Sequence, residues 1–191
     1  MLEVRKATEK DRGEIAACIA EGFEKDFSIL CRDTARVVQA ISGGLQLERF
    51  YVAETEGTVA GVAAVSDCRG RAAIVDGKAC RKQFGFAKGV LAELVLRGEF
   101  ERPLAYPLTT GYLEFVATRK RMQRQGVATA LLRKIVATGG YQEYVLDVVD
   151  TNPGAYLCYE KFGFETFRRE KEPHGKHKGF EERIFMRYKL G

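Results

Sequence analysis

Apolar and polar positions alternate along this chain with two periods, and the switches between them mark out its elements. Residues 2 to 7 read as an opening strand, after which Thr8, with Asp11 three places on, has the spacing of a capping box. Ile15, Cys18, Ile19 and Phe23 then recur at i, i+3, i+4 and i+8, which is one face of a helix. A second helix is predicted from Asp33, with Val37, Val38 and Ile41 inward and Gly43–Gly44 as its stop. The stretch FYVAETEGTVAGVAAV predicts a hairpin, 50–54 and 58–65, turning through Glu56 and Gly57.

From 68 to 111 the pattern weakens: Phe84, Ala87, Val90, Leu91, Leu94 and Val95 suggest a helix, against which Gly85 and Gly89 count. A strand over 112–118, a helix over 127–138 closed by Gly139 and Gly140, and a strand over 144–149 follow. That order implies a right-handed crossover between parallel strands. Asn152 as cap and Pro153 in the first turn open a short helix that ends at Gly163. Two more strands, at 164–169 and 182–190, are separated by the polar loop EKEPHGKHKG. The alternation of strands and helices predicts an α/β fold.

Composition narrows the class. With 191 residues, 46% hydrophobic and 30% charged, the chain fits one globular domain over 1–191 rather than a disordered segment. The charged start MLEVRKATEKD is not a secretory signal, and without a run of 18 apolar residues no membrane span is expected. Five cysteines, odd in number and without a C-x-x-C pair, fit a reduced cytoplasmic compartment. The net charge of +5 would help attract an anionic ligand.

The candidate chemistry begins at QRQGVATALL, residues 123 to 132, where a strand gives way to a helix. The free N–H groups of a helix's first turn, with the helix dipole, make an anion site. Gly126 and Ala128 keep side-chain bulk away from it. Arg119, Lys120, Arg121 and Arg124 beside it read equally as a solvated charge run. Neither G-x-x-x-x-G-K-[ST] nor a G-x-G-x-x-G after a strand occurs, so ATP, GTP and NAD fit poorly.

A second segment, LDVVDTNPGAYLCYEKFGF, joins the first, and together they resemble the GNAT superfamily of acyl-CoA-dependent N-acetyltransferases. Gln123, Gly126 and Ala128 match the family's R/Q-x-x-G-x-G/A; Asn152, Ala155, Tyr159, Gly163 and Phe164 match its later motif without a gap. Gln123 stands where arginine is commoner and Ala128 where a second glycine is commoner. The resemblance covers 112–164 and extends over 1–65, whereas 68–111 is longer than the family's simple connection and reads as an insertion before the fourth strand. It implies a mixed central sheet with one parallel pair splayed around the cosubstrate and helices on both faces. It also implies acetyl transfer from acetyl-CoA, with no metal, to a primary amine that the sequence does not identify. Val116, Ala117 and Thr118 would contact the pantetheine arm. Gln123, Arg124, Gln125, Gly126, Val127, Ala128 and Thr129 would hold the diphosphate, with Asn152 a cap that could also reach the cosubstrate.

An amine attacking a thioester needs a deprotonated nitrogen, an oxyanion donor and a proton for the leaving sulfur. The resemblance assigns the proton donor to Tyr159. Helix periodicity alone does not separate it from Tyr156, three residues away on the same face. For the base, strand parity groups Glu114 with Val116 and Thr118, and water is the alternative. His174 and His177 form an H-x-x-H without a third ligand nearby, and Cys158 lacks a partner base. The rival readings are a non-catalytic acyl-CoA-binding or regulatory module and a basic nucleic-acid-binding domain around RKRMQR, which lacks a recognition-helix pattern. Neither nucleic acid nor membrane is expected as a partner, and the sequence is compatible with monomer or homodimer.

Overall fold

In the computed structural model, residues 1–173, 175 and 179–190 are described, and seven strands among them form one mixed sheet. The strands are β1 (Glu3–Lys6), β2 (Phe50–Thr55), β3 (Thr58–Ser66), β4 (Thr110–Thr118), β5 (Glu143–Val149), β6 (Glu165–Lys171) and β7 (Glu182–Lys189), in the order β1-β2-β3-β4-β5-β7-β6. Only β4 and β5 run parallel; every other neighbouring pair is antiparallel. The helices are α1 (Arg12–Gly22), α2 (Glu24–Ser28), α3 (Thr34–Ile41), α4 (Gly77–Phe84), α5 (Phe86–Phe100), α6 (Val127–Thr138) and α7 (Pro153–Phe162). None of the described helices is long and apolar enough to cross a membrane. The sheet separates two cores. Helices α1 to α5 pack one face with Phe50, Val62, Phe115 and Ala117; α6 and α7 pack the other with Leu113, Tyr144, Leu146 and Val148.

Local chemistry explains the ends of these elements. The Asp11 carboxylate accepts the Thr8 backbone N–H at 2.7 Å and its hydroxyl at 2.9 Å, so the predicted box precedes α1. Asp33 accepts from the N–H groups of Ala35 and Arg36 at the start of α3. Glu56 and Gly57 both take left-handed φ, 50° and 73°, as a two-residue hairpin turn requires. The short helix α2 had no readable periodicity, being five residues long.

The stretch between β3 and β4 departs from the expected single helix. Gly85, at φ 82°, breaks it into α4 and α5. Gly89 then sits against the Arg81 backbone, where a side chain has no room. Because the two helices approach so closely, the inward face of α5 consists of Gly89, Ala92 and Leu96. The larger Val90, Leu91, Leu94 and Val95 point outward, the reverse of what size alone predicts.

Two irregularities shape the middle of the sheet. Strands β4 and β5 pair only at Thr110–Glu143, Gly111–Tyr144 and Tyr112–Val145, and then diverge. In β4, Phe115 takes φ 53°, and between the pairs Val62–Ala117 and Ala64–Glu114 two residues of β4 oppose one of β3. This is a β-bulge, and it reverses the alternation of faces for the rest of the strand.

At the end of β3, the Asp67 carboxylate is fully buried and accepts from Arg69 at 2.9 Å, Tyr141 at 3.0 Å and the Arg69 backbone at 3.0 Å, with Arg49 at 3.4 Å. Burial opposes its charge, but these donors win and lower it to about 2. A carboxyl depressed below its unfolded value of about 4 contributes stability above that pH and loses it as the pH falls towards 2. Asp67→Asn is therefore expected to cost about 2 kcal/mol near neutrality. Urea unfolding should show that deficit shrinking below about pH 4. A deficit that stays constant down to pH 2 would show that the charge is not responsible.

Candidate active site

The divergence of β4 from β5 opens a V in the sheet, and the loop after β4 closes its wide end. Arg119 and Lys120 leave the strand bound to α1 and α2. Arg119 pairs with Glu14 at 2.7 Å and Glu21 at 3.1 Å, the Lys120 backbone N–H donates to Glu21 at 2.6 Å, and its ammonium pairs with Glu24. Arg121 and Arg124 are exposed and make no ion pair among the described residues. The basic run thus divides into two anchors and two free cations.

The next turn is built by two left-handed residues, Arg124 at φ 60° and Gly126 at φ 80°, the latter capping α6. A Cβ on Gly126 would meet nothing within 4 Å, so the glycine supplies the φ and leaves the space above the turn open. Gln123, Gln125 and Gly126 are exposed, and Ala128 and Thr129 are half-buried. The side chain of Val127 is buried against Gly61 of β3, where a Cβ would also come within 2.9 Å of the Ala117 carbonyl. Gly61, which the sequence did not single out, therefore sets the depth at which α6 sits over β4. The first turn of α6 therefore starts from an exposed glycine with no side-chain cap, the setting in which a helix N-terminus can receive an anion.

On β4, the bulge corrects the expected grouping of Glu114 with Val116 and Thr118. Val116 joins the core beneath α6, whereas Phe115 and Ala117 join the core beneath α1. Glu114 lies on the α1 side with them, held by Ala72 and Arg71. Its carboxylate accepts from Arg71 at 2.6 and 3.1 Å, from the Ala72 N–H at 2.9 Å and from the Ser66 hydroxyl, with 8% of its side chain exposed. With its oxygens occupied in this way, Glu114 clamps the start of the 67–76 segment to the sheet.

The V has another carboxylate. Tyr144, Leu146 and Val148 of β5 point into the core with α6, so Asp147 points to the opposite face, two residues past the last β4–β5 pair. Asp147 accepts from the Tyr112 hydroxyl across the apex of the V and from Arg183 of β7 at 2.9 Å, and 18% of its side chain is exposed. Arg183 also pairs with Glu99 at 2.7 Å, and Glu172 stands 3.9 Å from it. Burial, with the Asp147 charge adding to it, raises the Tyr112 phenol, so it stays a donor. Burial also raises Asp26 of α2, with Glu99 adding to the effect. Three carboxylates, Asp147, Glu99 and Glu172, thus face the Arg183 guanidinium, while Arg71 and Arg168 stand over the Tyr112 and Phe185 rings on the same side.

On the α6 side, Tyr159 is buried with its ring 6.1 Å from that of Phe164. Its hydroxyl has no hydrogen-bond partner among the described residues, yet no buried side-chain oxygen there lacks one, so this hydroxyl reaches the surface. Burial raises it first, and the charges of Cys158 and Asp147 add to the rise. Tyr156 differs: its hydroxyl lies at 3.3 Å from Glu160 and 3.4 Å from Thr166, on the exposed side of α7. Asn152 accepts the Ala155 N–H at 3.1 Å, the predicted cap. The Cys158 thiol lies 3.9 Å from the Thr129 hydroxyl. His174 and His177 lie outside the described residues; among those described, no group of three His, Cys, Asp or Glu side chains could hold a metal. A separate cavity of about 220 Å³ between α1, α2 and α3 contains no residue of β4 or β5.

The sequence matches the profile of the acetyltransferase (GNAT) family over residues 17–164. No curated protein matches it significantly. Solved structures with a similar fold include an N-acetyltransferase from Staphylococcus aureus Mu50, 17% identical, with a TM-score of 0.64 over 97% of this chain and 100% of that one. A ribosomal-protein-alanine N-acetyltransferase from Brucella melitensis is 18% identical, with a TM-score of 0.63 over 98% and 99%. The ribosomal-protein-S18-alanine N-acetyltransferase from Escherichia coli is also 18% identical, with a TM-score of 0.58 over 100% and 95%.

Proposed function

Since the chain belongs to the GNAT family of acetyltransferases, we propose that it moves an acetyl group from acetyl-CoA to a primary amine of a small molecule or protein. The observation that carries this reading is the V itself: β4 offers an unpaired edge past Tyr112, and the open first turn of α6 lies beyond its far end. An extended pantetheine arm would take the place of a missing strand along Val116, Ala117 and Thr118. The diphosphate would meet the N–H groups from Gln125 to Thr129, with Gln123, Arg124 and Arg121 at its rim. The whole chain, 1–191, would act as one catalytic domain, with 68–111 inserted before β4.

The carboxylate of Asp147, 18% exposed on the open side of the V, fits an acceptor that arrives as an ammonium ion. In this reading Asp147 orients the ammonium and takes its first proton, directly or through water, which frees the lone pair to attack the carbonyl carbon; the second proton, made acidic as the carbon–nitrogen bond forms, passes to water. Tyr112 and Arg183 hold the carboxylate in place. A backbone N–H of β4 would donate to the carbonyl oxygen as negative charge builds there. Tyr159 would give its proton to the sulfur as the carbon–sulfur bond breaks. Glu114 is better read as the clamp of the inserted segment than as the base.

Saturating CoA is expected to raise the melting temperature by about 5–10 °C at roughly 100 times its dissociation constant, with ATP and NAD doing much less. Ala128→Glu separates ligand binding from folding. A carboxylate in the first turn favours the helix but repels a diphosphate, so the unliganded protein should melt no lower while the shift disappears. No shift with the unaltered protein would refute the cosubstrate. Thiol release from acetyl-CoA across a panel of amines tests turnover, and binding without release under any amine would favour a non-catalytic module.

A further inference from the structure

Helix α5 leaves its largest apolar side chains in solvent. Phe86, Val90, Leu91, Leu94 and Val95 are 79%, 45%, 57%, 71% and 47% exposed, and Ala87 and Gly98 lie exposed among them. Ala87, Leu91, Leu94 and Gly98 succeed one another at steps of four, three and four, the spacing of a coiled-coil seam. Val90 and Val95 flank it on either side. A continuous apolar stripe of this kind on a helix marks a contact surface rather than ordinary surface scatter.

We infer that this seam pairs with the same seam of a second copy of the chain, α5 against α5, antiparallel about a two-fold axis. The helix's own pattern selects that occupant. With the axis between Ala92 and Glu93, Leu91 meets the partner's Leu94 in the middle, and Ala87 meets the partner's Gly98 at both ends. Large residues thus sit at the centre and small ones at the rims, each layer repeated by the symmetry. The same register brings Lys88 within one turn of the partner's Glu99, beside that residue's own pair with Arg183, along one edge. Along the other edge it brings Arg97 within one turn of the partner's Phe86, so an opposite-charge pair and a cation–aromatic pair flank the seam. A Cβ at Gly98 would meet nothing within its own copy, leaving room for the partner. An anionic membrane is the poorer occupant, because a surface-bound helix carries a border rich in Lys and Arg. Here Glu93 and Glu99 are mixed with Lys88 and Arg97. Fifteen residues span about 22 Å, a short seam, so the dimer falls at the small end of stable interfaces and depends on concentration.

Sedimentation velocity from low to high micromolar protein should show monomer giving way to dimer. Leu91→Glu and Leu94→Glu place like charges across the axis and should each raise the dissociation constant at least about tenfold, with thermal melting of the monomer unchanged because both sites are exposed. The register is read separately with the double variant Ala87→Cys and Gly98→Cys. Oxidation should yield a disulfide between 87 of one copy and 98 of the other, identified by mass spectrometry. Within one helix those positions are about 16 Å apart, too far to bridge. Monomer across the whole range overturns the inference. So does a dimer indifferent to both glutamate variants, or anionic vesicles that bind the protein and lose it on Leu94→Glu. A dimer without the 87–98 link overturns the register.

Discussion

Replacing Tyr159 by Phe is expected to lower turnover by about 10²-fold while leaving the CoA-induced rise in melting temperature intact. The ring's packing against Phe164 survives the change, so folding should be affected little. What disappears is an unpaired hydroxyl that reaches the surface and that, like any phenol, is protonated at neutral pH, with the burial of the ring raising it further. Such a group can donate a proton to a departing sulfur but cannot serve as a base. The size of the effect sits at the low end for general acid catalysis because a CoA thiolate leaves tolerably well without help. Tyr156→Phe is the control: it removes contacts to Glu160 and Thr166 on the exposed side of α7 and should leave turnover unchanged. Near-normal turnover in Tyr159→Phe would reduce the residue to packing.

The second large effect separates two carboxylates that the sequence could not. Glu114→Gln strips the charge from a group bound to Arg71, Ala72 and Ser66 and strands a largely buried guanidinium. A loss of about 3 kcal/mol in stability is expected, with turnover of the folded protein close to normal. Asp147→Asn should do the opposite: a modest change in stability and a loss of turnover of about 10²-fold. That loss should be greatest at low pH, where the acceptor is most fully protonated, and should shrink as the pH rises towards the amine's own pKa. A loss that is constant with pH would mean that Asp147 positions Tyr112 without handling the proton. A pH-dependent loss in Glu114→Gln alone would restore that residue as the base.

The sequence and the structure agree where local rules decide. Asp33, Gly57, Gly126, Asn152, Pro153 and Gly163 each sit where a cap, a turn or a left-handed φ demands them, and each was legible for that reason. Parity along β4 failed because it assumes an unbroken alternation, and a left-handed Phe115 gives no sign in a sequence. Which face of α5 is buried was not legible, because close helix packing selects small residues inward, the reverse of the rule that large apolar residues are buried. Asp147, a lone carboxylate in the apolar run YVLDVV, could have been noticed, since charge in a central strand calls for a reason. Its partners could not have been, because Tyr112 and Arg183 reach it only through the order of strands in the sheet.

Three residue pairs are all that join β4 to β5, while β5 is paired with β7 along its whole length and β4 with β3 over most of its own. Mechanically the sheet is two plates sharing a short hinge at Thr110–Tyr112, one plate carrying α1 to α5 and the other carrying α7, with α6 packed across both. Any occupant that hydrogen-bonds to both plates acts as a strut, loading them against each other at the far end from the hinge, where its leverage is longest. With such an occupant the stiffness of this sheet would depend on occupancy as much as on sequence, and the strut would hold the angle between Tyr159 on one plate and β4 on the other.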